Sequence, residues 1–266
     1  MPFQPLNSEH AIQAVTFTVA LDGPVHTSAI NLLRNRADLI SELPAVQTPD
    51  VFELSPGAIP VPRRIGGVQF SHLRPDGSPA WALRLFGAEL VVECTRYTRW
   101  DRVWETAERY LQAGLQDVAN ASSKSKRNVA VIALNYVDAF TADNQEYRLD
   151  DLIKPSALIA GKAFEAGAVW HSHIGWFEKR ESGASAAWLN QLNLDARRSD
   201  PNPPGTSPKL RIEITHNQEY RFNPAISINE AEAKLSSCMK EMHAQNKLIL
   251  SMMLVDEMAK RIGLGE

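Results

Sequence analysis

Between Glu89 and Leu115 the apolar spacing of the chain changes from every second residue to a helical period. Residues 89–97 alternate β-branched or aromatic positions with polar ones, which predicts a half-buried strand. Beyond Thr98, the residues Trp100, Val103, Trp104, Ala107, Tyr110, Leu111 and Leu115 recur at i, i+3, i+4 spacing. That spacing predicts an amphipathic helix presenting two tryptophans and a tyrosine to one side. Thr98 is the expected cap, since a hydroxyl there can accept from the orphan amides of the first turn. The rest of the chain is organised around this strand-to-helix passage.

The same two periods place the remaining elements. Residues 14–21 alternate Val15, Phe17 and Val19 against Thr16 and Thr18, a strand ended by Asp22-Gly23-Pro24. Helical spacing runs from Ala29 through Leu43, with Thr27 or Ser28 as cap. A short strand is expected at 51–54, and 55–64, with its three prolines and paired arginines, reads as loop. Strands at 68–73 and 80–85, joined by short turns to the strand at 89, form an antiparallel meander. In the second half, a strand at 129–137 precedes short helical pieces over 149–164 and strands at 167–177, 184–195 and 209–215. A long helix from Ile228 toward Ile262 opens on Ser227 and Glu230 in capping-box spacing. Asp150 and Asp151 sit where a helix start favours carboxylates. Each half thus reads strand, helical crossover, meander, closing helix. The expected class is α+β, as two halves of TATA-box-binding-protein-like topology covering 1–120 and 129–266, joined by a basic linker at 121–128. The pentapeptide Asn144–Arg148 recurs as Asn217–Arg221. Both copies are expected just past a strand end, where turn chemistry explains their composition.

Composition narrows the class without naming a function. The chain has 266 residues, 44% hydrophobic and 22% charged, which is globular rather than disordered. A formal charge of -3 gives no general attraction to nucleic acid or acidic lipid. Two cysteines offer no disulfide framework, no run approaches the ~18 apolar residues of a membrane helix, and the first residues lack a signal-peptide pattern. A cytoplasmic protein without membrane attachment is expected.

Three surfaces are candidates for chemistry or recognition. In Trp170-His171-Ser172-His173-Ile174-Gly175-Trp176 both histidines face one side of a strand, about 6–7 Å apart. With His216 or Glu213 as a third ligand they would form a metal-dependent hydrolase or nuclease-like site, set against a structural role on a solvated face. Arg96, Arg99 and Arg102 interleave with Tyr97 and Trp100, a pattern suited to phosphate contact and base stacking. Arg63-Arg64, Lys124, Lys126-Arg127 and Arg197-Arg198 add to that basic character. In the C-terminal helix, Leu235, Met239, Met242, Asn246, Ile249 and Met253 follow alternating four- and three-residue steps. That is the seam of a partner-binding or dimerising helix, or of one packed on its own sheets. No nucleophile elbow, Walker A loop or dinucleotide-binding glycine pattern is present, and no cofactor is expected.

Several short stretches resemble a sporadically distributed bacterial and archaeal family of about this length that has no assigned function. They are Phe3-x-Pro5-Leu6 with His10-Ala11-Ile12 and Val15-x-Phe17, then Tyr97-x-x-Trp100, then Tyr136-Val137-Asp138-x-Phe140. His173-x-Gly175-Trp176 and His243-x-x-Asn246 complete the set. The resemblance carries over no catalytic residue. Its patchy distribution is similar to that of mobile-element and phage-defence genes. It implies a binding or regulatory accessory protein rather than an enzyme, partnered with an effector of a defence or toxin-type locus or with a second copy of itself.

Overall fold

The computed structural model describes residues 2–7, 9–49, 52–54, 62–64, 66–121, 126–142, 147–178, 186–198 and 209–264. The fold is α+β: a ten-stranded antiparallel sheet, a separate two-stranded hairpin, and five helices among the described residues. At the middle of the sheet β2 (Ile12–Leu21) pairs with β9 (Val129–Ala142). On the far side of β2 lie β8 (Glu89–Cys94), β7 (Pro79–Phe86), β6 (Gly67–Leu73) and β3 (Ala45–Gln47), in that order. Beyond β9 come β12 (Leu210–Ile226), β11 (Ala186–Arg198) and the edge strand β10 (Trp170–Phe177). β1 (Phe3–Pro5) pairs with the end of β9, Phe3 opposite Ala142.

One face of the sheet is apolar because the alternating patterns put it there. Val15, Phe17 and Val19 of β2, Leu90 and Val92 of β8, and Ile132, Leu134 and Tyr136 of β9 are all fully buried. Against them pack α1 (Thr27–Arg34), α3 (Trp100–Asn120) and α4 (Ile228–Met253). Their apolar stripes cover a face that would otherwise meet water. At Gly114 the approach of α3 to β8 leaves no room for a side chain, since a Cβ would lie 2.5 Å from Leu90 Cδ1. The opposite face carries half-buried polar groups such as Thr16, Thr18, Asn135, Thr215 and Asn217.

Several boundaries differ from the sequence expectation, each for a local reason. The first helical stretch is two helices, α1 and α2 (Ala37–Glu42), and the α1 cap is His26, whose Nδ1 accepts from Ser28 N. Arg99 rather than Thr98 occupies the N-cap of α3, and no side chain closes that end. Residues Pro62–Arg64, expected as loop, form β5 opposite β4 (Phe52–Leu54), while 55–61 lie outside the described residues. β12 continues eleven residues past Thr215, so the second pentapeptide copy is strand interior and not a turn. Most of the first copy, like 122–125 of the basic linker and 199–208, lies outside the described residues. The Ser227–Glu230 capping box is present, as expected. Asp151 accepts from Arg148 N at the start of a short 3-10 turn, and Asp150 pairs with the Arg148 guanidinium. The long helix ends at Met253, because Leu254 and Val255 turn extended and bond to the 152–154 segment. Lys154 N donates to Met253 O, Val255 N donates to Leu152 O, and α5 (Asp256–Arg261) starts afresh.

The buried apolar residues fall into two clusters, both contacting α4. Leu235, Met239 and Met242 belong to the first, Ile249, Leu250 and Met253 to the second. Between them runs a belt of buried polar groups: Asn190 on β11, His216 and Gln218 on β12, Asp138 on β9 and Asn246 on α4.

Candidate functional site: a cleft at the end of the polar belt

The belt is a chain of hydrogen bonds that starts at Glu178. Its Oε1 accepts from Trp176 Nε1 at 2.9 Å, Asn190 Nδ2 at 3.1 Å and Gln245 Nε2 at 3.2 Å. With its nitrogen so committed, Asn190 offers Oδ1 to His216, and His216 Nε2 donates to it at 3.0 Å. Burial pushes the His216 pKa down to about 4, so the ring is neutral and its Nδ1 carries a lone pair. The structure sets Asn246 Oδ1 2.9 Å from that Nδ1, where a lone pair needs a donor. Turning the Asn246 amide over meets that need, and it places the amide nitrogen on His216 and the oxygen toward another partner. Gln218 is tied by Nε2 to Met242 O at 2.7 Å.

Next to Asn246 the belt opens into a cleft of about 430 Å³. It is bounded by the chain around His10, the β8–α3 junction at Tyr97–Trp100, β9, α4 and the C-terminal residues Ile262–Leu264. Asp138 lies on its lining, 2% exposed, and its Oδ2 is buried without a hydrogen-bond partner among the described residues. In β9 it faces the helices between Tyr136 and Phe140, in register with Ile12 on β2 and Ile214 on β12. Burial alone raises its pKa to about 7. A carboxyl group so placed is expensive to bury, and among the described residues no partner for Oδ2 offsets the cost.

The walls and the mouth differ in character. Trp100 stacks on His243, ring centres 4.1 Å apart and planes 2° from parallel, and Tyr136 Oη donates to His243 Nδ1 at 2.8 Å. Burial and nearby Lys247 push the His243 pKa down to about 4, which keeps that ring neutral. His10 is lowered by burial, donates through Nε2 to Tyr97 O at 3.2 Å and meets the Tyr97 ring edge-on. Ile12, Leu250, Ile262 and Leu264 supply apolar wall. At the mouth are Glu9, Arg99 and Lys247, and the two cations form no ion pair among the described residues. The uncapped N-terminus of α3 adds its partial positive charge there.

The surfaces predicted from sequence are placed elsewhere. His171 and His173 are exposed on the outer face of β10, whereas His216 is buried on the helix side of β12, so the sheet separates them. Glu213 shares the outer face with His171, but Arg197 and Arg211 already hold it. No group of three histidine, cysteine or acidic residues among the described residues is arranged to hold a metal ion. Arg96, Arg99 and Arg102 are exposed, whereas Tyr97 and Trp100, expected to stack on bases, pack partly buried against the core. All six residues of the C-terminal seam are buried within the chain, none more than 3% exposed. The seam is therefore filled by the chain's own sheet, and the outer stripe of α4 carries Leu248 and Met252 instead. Sequence reasoning did not single out Asp138 as a site residue. The available signal was a polar side chain at an inward strand position, repeated in Asn190 and His216. His10, Tyr97, Trp100, Asp138, His243 and Asn246 all line this one cleft. Comparisons of the chain with protein-family models, curated proteins and solved structures find no match. No helix among the described residues is long and apolar enough to cross a membrane.

Proposed function

We propose that the chain is a binding protein of regulatory or accessory type that takes up a small polar ligand in the Asp138 cleft. The observation carrying this reading is the buried Asp138 oxygen that lacks a partner on the lining of an accessible cavity. An unpaired buried carboxylate calls for a partner, and a ligand in the adjoining cavity supplies one. A partnership with an effector of a defence or toxin-type locus rests on the sequence resemblance. Exposed Leu248 and Met252 on α4 provide a surface for it. The paired order of strands on either side of β2 and β9 supports reading the fold as two TATA-box-binding-protein-like halves. The test is a thermal-shift screen of the whole chain against amino acids, nucleotides, organic acids, polyamines and sugars. At least one class should stabilise the protein and lose that effect in Asp138→Asn, because binding to the native state alone raises Tm. A screen with no Asp138-dependent shift sinks the reading.

A nucleic-acid interface keeps one favourable observation: Arg96 and Arg102 are exposed and form no ion pair among the described residues. If it operates, affinity for DNA or RNA falls steeply between about 50 and 200 mM salt, and Arg96→Glu with Arg102→Glu abolishes it. Retained mobility-shift binding by the double variant excludes it.

A further inference from the structure

We propose that the ligand of the cleft is a small zwitterion, an α-amino acid or short peptide, with its ammonium on Asp138 and Asn246 and its carboxylate toward Arg99 and Lys247. This rests on the cleft being a ligand site and goes further by naming the chemistry. One free acceptor lies inside, the Asp138 Oδ2 that has no partner among the described residues. Asn246 beside it offers a second once its amide is turned over, so that its nitrogen rather than the oxygen meets neutral His216. Acceptors deep in the site suit a ligand rich in N–H groups, and an ammonium supplies three. Burial raises the cost of leaving Asp138 ionised and alone, so a cation gains most there. Tyr97 and Tyr136, which act electrostatically with Asp138, are held neutral by burial, and desolvation is the one influence on the carboxyl among the described residues. The opposite charge is wanted at the mouth, where Arg99 and Lys247 on the lining outnumber Glu9, and Asp101 offsets the open start of α3. Trp100, Ile12, Leu250 and Leu264 on the walls favour an apolar side chain on that ligand.

Titration calorimetry on the whole chain, with L-leucine, L-phenylalanine and the dipeptide leucyl-leucine as probes, tests both poles. At least one probe should bind, and its N-acetyl derivative and its amide should each bind about tenfold more weakly or worse. Asp138→Asn should abolish binding of the parent probe. Should that variant fail to fold, the surface change Lys247→Gln serves: it must weaken the parent probe while leaving the amide unchanged. Equal binding of probe and N-acetyl derivative, or equal loss of probe and amide in Lys247→Gln, overturns the proposal. Silence from every zwitterion, with Asp138-dependent binding of another class in the wider screen, overturns the zwitterion but leaves the cleft as a ligand site. Silence from every compound removes both.

Discussion

At the scale of the residue, Asp138 and the two neutral histidines oppose one another in pH dependence. Burial raises the Asp138 pKa from 3.8 to about 7, so the folded state holds the proton more tightly than the unfolded chain. The stability this confers is complete at low pH and is lost as pH rises through the window from 3.8 to 7. His216 and His243 are lowered from 6.5 to about 4, so theirs is complete above 6.5 and lost as pH falls to 4. Asp138→Asn removes the first effect and keeps the shape of the side chain. Urea unfolding at pH 5 and pH 8 should show the variant gaining on the parent as pH rises, by about 2–3 kcal/mol between the two. Parallel pH profiles would mean that Asp138 is not buried as described. A variant more stable at pH 8 yet unable to bind ligand is the expected mark of a functional carboxyl.

At the scale of the element, α3 and α4 make opposite demands on neighbouring positions. Trp104 is 4% exposed, its ring stacks near Phe17 and Trp100, and its Nε1 donates to Ser236 Oγ on α4. Trp104→Ala should therefore cost about 3–5 kcal/mol, read from the denaturant midpoint. Gly114→Ala is favoured by helix propensity, yet the added methyl would strike Leu90. Overpacking should win, with a loss of about 1–3 kcal/mol. A gain in stability would show that α3 has room to lift from β8. On α4, Ile249→Asp with Met253→Asp places charges in the second apolar cluster and should unfold or aggregate the chain. Leu248→Asp with Met252→Asp, on the outer stripe, should leave the melting temperature within about 2 °C. If the inner pair instead yields a folded, soluble monomer, the packing face of α4 is wrongly assigned.

At the scale of the molecule, a polar belt divides the apolar clusters of one continuous sheet and ends at the Asp138 cleft. The clusters do not follow the expected division at 121–128. α4 contributes its first part to one and its second to the other, and β9 and β12 do the same. Acidification charges His216 between Asn190 and Asn246, and so strikes where the clusters meet. Lowering pH from 7 to 4.5 should bring a cooperative loss of stability, followed by tryptophan fluorescence because Trp100 stacks on His243 and Trp176 near His216. His216→Gln, which retains hydrogen bonding without the titration, should flatten that loss. An unchanged acid profile would place the transition elsewhere.

What the sequence determined by itself is whatever depends on neighbours along the chain. Alternation in residues 14–21 and 129–137 and the i, i+3, i+4 stripe after Thr98 specify strands, a helix and their buried faces. So the class and most of the core were legible, including Trp104, Tyr110 and the capping box at Ser227. Tertiary structure alone decided which strands lie side by side, since β2 meets β9 across more than a hundred residues of chain. It also decided where α4 ends, through bonds to the distant 152–154 segment, and that its seam belongs to the chain's own core. The cleft belongs wholly to this second group. A polar residue in a strand pattern reads as an interruption until the fold brings His10, Tyr97, Asp138 and Asn246 together. Whether Asp138 has a partner depends on burial and distance, which are properties of the packed molecule and of no local stretch.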